Sequence, residues 1–330
     1  MSANAPSLSF IVPVRDDASR LERCLDAIRA NGYGGEVRVV VADNGSTDKS
    51  GDVARRAGAT VLTLPGLSVA ELRNRASAQA DTDILAFVDA DHLIAPGWIA
   101  AAAENLRGAG PAAAGAPYDP APNANWVQRA YDRFRDHTPG LRETQWLGSG
   151  NLAIRRDVFV RVGGFDTALE TCEDVDLCYR LVAAGERLLQ DDRMKSVHMG
   201  DPSTLRALFF GELWRGRDNI RVSLRGPKTA RALQSVVVPV ANLVFVAAIL
   251  AGIATAVFGG WRLALMAVGG FGALVSVRAA RMSAGTRGSW RTVPADFAVA
   301  AVYDIGRALA LVARASHKAR RESAGERAGA

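Results

Sequence analysis

The sequence predicts an α/β fold, a mainly parallel sheet flanked by helices, followed by a C-terminal helical membrane hairpin. Three observations carry this. Apolar β-branched runs alternate with helix-period segments through the first ninety residues, an Asp-x-Asp pair (Asp89, Asp91) closes one such run, and the 23 residues from Val236 to Phe258 carry no charge.

The chain opens with SLSFIVPV, Ser7 to Val14, too short and too β-branched for a helix; Leu21, Cys24, Leu25 and Ile28 then fall on one helical face. A second strand, VRVVVAD, runs from Val37 to Asp43 and stops at a turn-forming NGSTD. Strand, helix, strand at this spacing is a βαβ unit with a right-handed crossover. The alternation continues with a helix around Lys49 to Ala57, a strand over Thr60 to Leu64, a helix over Val69 to Ala80, and the strand that ends in Asp89. The Ala/Gly/Pro-rich stretch from Ala100 to Pro122 is expected to be a helix and then a loop.

Side chains two apart on a strand face the same way, so Asp89 and Asp91 project together from a carboxyl end, where open parallel sheets bind ligands. Two convergent carboxylates suit Mg²⁺ or Mn²⁺, ions that keep several waters and share other positions with phosphates. Asp-x-Asp after a strand also serves as plain turn chemistry. The surrounding motifs decide between the two. IVPVRDD, VVVADNGSTD, ELRNRAS, FVDADH, WLGSGNLAIRR, GGFD and EDVDLCYRL occur in the order and with roughly the spacing of family 2 glycosyltransferases of the GT-A fold, over residues 7 to about 200.

That resemblance implies a GT-A nucleotide-diphosphate-sugar fold over residues 1–224 and a set of site residues. Pro13, Asp43, Arg73, Asp89, Gly150 and Glu173 would line the donor, with Asp43 accepting a base N–H and Arg73 near base and phosphates. Asp91, with Asp89 and His198, would hold the metal, and Asp174 would be the base that takes the acceptor's proton. Each has a plainer reading. Ser46 or Thr47 is expected to cap the following helix, Arg73 could be a solvated helix arginine, Thr171 and Asp174 fit a Thr-x-x-Asp capping box, and a lone His198 is often structural. Gly148, Ser149 and Gly150 follow Trp146, which reads as a stacking face for donor or acceptor, or as a core tryptophan.

Two departures stand out. Asn44 occupies a position where the family frequently has a second Asp, and FFGELWRGRDN lacks a Gln-x-x-Arg-Trp, which argues against a processive synthase. The implied activity is metal-dependent inverting transfer from a nucleotide-diphosphate sugar, a UDP-sugar first, to a lipid-linked or cell-envelope glycan acceptor. A nucleotidyltransferase on a similar fold and a non-catalytic membrane scaffold are the alternatives.

Charge divides the chain. Residues 1–224 hold 26 Lys or Arg against 30 Asp or Glu, a net of −4, while residues 225–330 hold 14 against 4, a net of +10. The basic excess flanks apolar runs and so points to a membrane, not to nucleic acid. Residues 236–258 are long enough to cross a hydrocarbon core of about 30 Å. A second crossing is expected at 263–277, where glycines 269, 270 and 272 suit close helix packing. Arg225, Lys228 and Arg231 before the hairpin, and Arg278, Arg281, Arg287 and Arg291 after it, place both ends in the cytoplasm of a cytoplasmic-membrane protein by the positive-inside rule. Residues 293–313 carry Asp296, Asp304 and Arg307 and are expected to lie as an amphipathic helix on the cytoplasmic leaflet, with a basic tail at 314–330. Cys24, Cys172 and Cys178 have no metal spacing, as reduced cytoplasmic thiols would. MSANAPS lacks the pattern of a signal peptide.

Overall fold

A computed structural model describes residues 5–313 apart from Thr286; the basic tail lies outside the described residues. The chain forms two compact units, residues 1–121 with 139–200, and residues 122–138 with 201–330. This division takes 122–138 and 201–224 out of the 1–224 block and groups them with the C-terminal helices.

The first unit begins with β1 (Leu8–Val14), α1 (Ala18–Ala30), β2 (Val37–Asp43), α2 (Ser50–Arg56), β3 (Thr60–Thr63), α3 (Val69–Ser77) and β4 (Ile84–Val88), as the sequence leads one to expect. β3, β2, β1 and β4 lie side by side and all pair in parallel. Successive β1 residues feed opposite faces. Leu8, Phe10, Val12 and Val14 join a core with α1 and with Trp98, whereas Ile11 joins a second core with Leu85, Phe87, Phe159 and Phe165. Burial on both faces is why these strands read as continuous apolar runs.

Beyond β4 the sheet is mixed, not parallel throughout. After β5 (His92–Ile94), α4 (Trp98–Asn105), β6 (Ala113–Gly115) and β7 (Asp119–Pro120), the chain leaves the unit as α5 (Trp126–Asp132). It returns as β8 (Leu141–Thr144), β9 (Asn151–Arg155), α6 (Arg156–Arg161), α7 (Glu173–Ala183), β10 (Leu188–Asp191) and β11 (Ser196–His198). β9 pairs antiparallel with both β4 and β6, and β10 pairs parallel with β6 and antiparallel with β8, giving the order β3-β2-β1-β4-β9-β6-β10-β8. The stretch expected to be helix then loop thus supplies β6. Its last residue is glycine because the neighbour is close: a side chain on Gly115 would meet the Asn151 carbonyl oxygen at 2.5 Å. A small second sheet, β5-β11-β7, sets His92 opposite His198.

The second unit is helical: α5, α8 (Leu205–Arg215), α9 (Asn219–Arg225), α10 (Ala230–Ala254), α11 (Trp261–Ala284) and α12 (Val293–Leu309). α10 and α11 contain segments of 23 and 24 residues that are long and apolar enough to cross a membrane, with only 17% of their most apolar windows buried. The second is a full-length helix, longer than the 15 residues of 263–277. Pro239 cannot donate to the Ser235 carbonyl inside α10, and Asn219 Nδ2 takes that oxygen instead at 2.7 Å. Asp296 and Asp304 of α12 do not face water. Asp296 accepts from Arg133, Ser283 and Thr292, and Asp304 pairs with Arg278 at 2.8 Å. Fully buried Glu212 of α8 accepts from Arg307 at 2.6 Å and from Tyr131 at 2.8 Å.

Candidate active site

The site lies in the first unit, at the carboxyl ends of β1, β2 and β4, on either side of the point where strand order reverses. Pro13 sits near the end of β1, past Ile11, the last residue paired with β4, so its missing N–H breaks no bond on that side. The loops after β1 and β2 are laced together. Asp16, at φ 49°, accepts the Thr47 N–H at 2.7 Å, Ser46 Oγ accepts the Asp16 N–H at 3.0 Å, and Asp48 accepts the Ala18 N–H at 3.0 Å. Ser46 and Thr47 therefore bind the neighbouring loop and do not cap α2, a correction to the expectation.

Asp43 ends β2, buried, and its Oδ1 accepts the Ser46 N–H at 2.8 Å. Asn44 explains its departure from the Asp-Asp pattern. Its Oδ1 accepts from Gly66 N at 2.7 Å and Leu67 N at 3.2 Å while its Nδ2 donates to the Leu67 carbonyl at 3.0 Å. A carboxylate accepts but cannot donate, so only the amide closes this turn.

Arg73 is not solvated. It is almost wholly buried, with one guanidinium nitrogen 2.6 Å from Asp89 and another 2.7 Å from Glu173. One residue on α3 thus joins a carboxylate at the end of β4 to another at the start of α7. Gly150 stands against Asp89: a side chain there would meet Asp89 Oδ2 at 2.9 Å and His92 Nε2 at 3.1 Å. The glycine is what lets the loop pass so close to the acidic cluster.

Asp91, His92 and His198 come together, one potential ligand atom from each within 4.8 Å of the others. His198 Nε2 is 3.3 Å from Asp91, Arg20 is 3.8 Å from it, and Tyr118 packs edge-on against both imidazoles. Burial resists ionisation of Asp91, but His198, His92 and Arg20 outweigh it and hold the carboxyl well below the usual range. A carboxylate with two imidazoles is a donor set that fits Mn²⁺. Asp89, expected in this group, has Oδ1 committed to Arg73 and lies outside the trio. His92 was missed in the sequence, although it directly follows Asp91. His92 Nδ1 bonds Ser196 Oγ at 2.9 Å, which fixes the ring.

Asp174 is the second residue of α7, which begins after Cys172 at φ 61°. The N-cap position is Cys172 and not Thr171, so Asp174 is not the third residue of the helix and the Thr-x-x-Asp reading is out of register. Asp174 instead accepts the Val175 N–H at 2.8 Å and the Ser149 N–H at 3.4 Å. Burial first, and the adjoining Glu173 second, push its carboxyl up to about 7, against the weaker pull of Arg73. A carboxyl poised near neutrality is suited to general-base work.

Comparison with known proteins follows the same lines. Residues 9–165 match the family described as Glycosyl transferase family 2. The chain is 28% identical over 223 residues to glycosyltransferase AglE of Haloferax volcanii, covering 64% of this chain and 71% of that protein. It is 30% identical over 198 residues to the pre-mycofactocin glycosyltransferase of Mycobacterium tuberculosis, covering 55% of this chain but 40% of that protein. Among solved structures, mannosyltransferase PcManGT from Pyrobaculum calidifontis, in complex with GDP-Man and Mn²⁺, superposes with a TM-score of 0.58 at 18% identity, covering 91% of this chain and 86% of the other. At that identity the likeness establishes the fold, a mixed α/β GT-A-type sheet.

Proposed function

The chain belongs to glycosyl transferase family 2 through residues 9–165, and from that premise we propose that this glycosyltransferase is metal-dependent and inverting. It moves a sugar from a nucleotide-diphosphate donor, a UDP-sugar first, to a hydroxyl of a lipid-linked or cell-envelope glycan. The observation that carries the reading is the bridge Asp89–Arg73–Glu173. It ties the acidic cluster at the end of β4 to the helix turn that presents Asp174.

Pro13, Asp43 and the laced loops after β1 and β2 would form the base and ribose side. Asp91, His92 and His198 would hold Mn²⁺ or Mg²⁺, with Asp89 beside them. A bound divalent ion would neutralise the diphosphate leaving group as a Lewis acid. Asp174, held by two backbone N–H groups, would remove the acceptor's proton as its oxygen attacks the anomeric carbon opposite the diphosphate. Inversion follows from such direct displacement. Arg73, already paired on both sides, acts as a brace for the carboxylates.

The largely unburied α10 and α11 support a two-pass membrane hairpin, and the arginines and lysines that flank it would keep both ends in the cytoplasm, beside the nucleotide-sugar pool. Residues 293–313 are then assigned to the cytoplasmic interface, with the acids of α12 neutralised inside the second unit. Calorimetric titration with UDP, GDP and dTDP, with Mn²⁺ and then with EDTA, tests the donor and metal together. Micromolar binding lost in EDTA and in Asp91→Ala is expected. Binding that survives both refutes the metal role.

A further inference from the structure

We propose that Trp146 and Gly148 form the acceptor subsite and that it takes a sugar ring, stacked by its C–H face on the indole with one hydroxyl turned to Asp174. This rests on Asp174 as the base. Trp146 lies between β8 and β9 and is 39% exposed, so it is not a core tryptophan. Its backbone is nevertheless pinned. Thr144 Oγ1 accepts the Trp146 N–H at 3.4 Å and donates to its carbonyl at 3.2 Å, and the next residue, buried Leu147, bonds through its N–H to Cys178 Sγ at 3.4 Å. A large aromatic held open to solvent on a fixed loop is how proteins present a stacking platform.

Gly148 separates this platform from the base. The point where a side chain on Gly148 would begin is 3.7 Å from Trp146 Cζ2 and 3.9 Å from Asp174 Oδ2. Both are ordinary contact distances, and Gly148 is not among the residues with positive φ. Glycine is thus required here by neither turn geometry nor a clash. What it leaves unfilled is the room of one methyl, in contact with both the indole edge and the Asp174 carboxylate. Ser149 N–H, bonded to Asp174, keeps the two sides in register.

The chemistry favours a hydroxyl over a phosphate as the attacking group. A phosphate oxygen is already anionic at neutral pH and needs no base, and a bare lipid phosphate has no ring face to stack. With a sugar hydroxyl, its oxygen forms the new bond to the anomeric carbon, the bond to the diphosphate oxygen breaks with its electron pair, and the proton ends on Asp174.

The test uses the full chain in a zwitterionic, non-sugar detergent, with Mn²⁺ and excess UDP, GDP and dTDP together to fill the donor site. Saturation-transfer NMR then reads the ring C–H protons of octyl β-glucoside, octyl β-galactoside and octyl β-mannoside. Octyl phosphate controls for binding of the alkyl chain. Ring saturation of at least one glycoside is expected, falling at least tenfold in Trp146→Ala and in Gly148→Ala, whose methyl fills that room without a clash. Trp146→Phe should keep part of the signal, and calorimetric nucleotide affinity should not change in any of the three. Ring signals absent from all three glycosides, or unchanged in Trp146→Ala, overturn the proposal. Asp174→Asn separates the two levels of the reading: it should keep ring saturation and lose transfer. Turnover retained by that variant removes the base assignment, whereas a loss specific to the tryptophan variants bears on the subsite.

Discussion

The pH dependence of the chemical step follows from where Asp174 sits. Burial and Glu173 raise its carboxyl from an ordinary 3.8 to about 7, so a base that must be ionised to act is about 3% active at pH 5.5, half active near 7 and fully active above 8. Single-turnover transfer should therefore fall about thirtyfold between pH 8 and pH 5.5, whereas an ordinary carboxylate would lose almost nothing over that range. Asp91, held well below the usual range, stays ionised throughout and contributes no limb of its own. The assay is rapid-quench turnover with donor, acceptor and Mn²⁺ saturating at each pH, beside Asp174→Asn. A flat wild-type profile, or the same limb in the asparagine variant, would refute the argument. Linkage fixes a second sign. Between about pH 4 and 7 the folded chain retains a proton on Asp174 that the unfolded chain has released, so this stability is present below 4 and lost as pH rises through 7. The melting temperature of Asp174→Asn should accordingly gain on that of wild type between pH 5 and 8.

Three further outcomes are expected. Asn44→Asp should loosen the turn at Gly66 and Leu67, costing about 1–2 kcal/mol, read as a lower denaturation midpoint with a raised donor KM; an unchanged midpoint counts against the clamp. Arg73→Met leaves Glu173 and Asp89 without their shared cation and should cost about 3–5 kcal/mol, with Arg73→Lys recovering only part because a lysine cannot span both carboxylates; thermal melts of the three proteins decide it. A chain ending at residue 224 strips Glu212 of Arg307 and Asp132 of Arg287, and should aggregate on size-exclusion chromatography, whereas a monodisperse folded fragment would refute the role given to these pairs.

The parallel half of the sheet was legible because its signals are local. β1, β2 and β4 are short apolar runs, each ended by a polar turn, and their flanking helices show one apolar face. The antiparallel half was not legible. β6 is Ala113–Gly115, three small residues whose preference is not for strand, and the approach of the Asn151 backbone accounts for the glycine at 115. Tertiary packing overrode propensity there. The partners of the acids of α12 were hidden for a similar reason. A sequence shows Asp296 and Asp304 as costs in an apolar segment, and their arginine partners, Arg133 and Arg278, lie 163 and 26 residues away.

The site divides along the same line. Asp43 closes β2 and Asp89 directly follows β4, so both lie at the carboxyl edge of the sheet as the βα pattern implies, whereas Asp91 stands off the strand in the turn before β5. Positions set by contacts between distant segments do not follow from that pattern. Arg73 sits on the buried face of α3, yet nothing near it in sequence reveals that its partners are Asp89 and Glu173, the second of them 100 residues on. Nothing in the sequence around His92 shows that it meets His198. The short sheet β5-β11-β7 brings the two together. It pairs His92 with His198 and brings Tyr118 against both rings, so the second imidazole reaches Asp91 through a chain reversal that alternation along one strand cannot express. The same limit applied to Trp146. Its sequence neighbourhood left core, donor and acceptor roles open, and only Gly148, in reach of both the indole and Asp174, gives the exposed ring a direction.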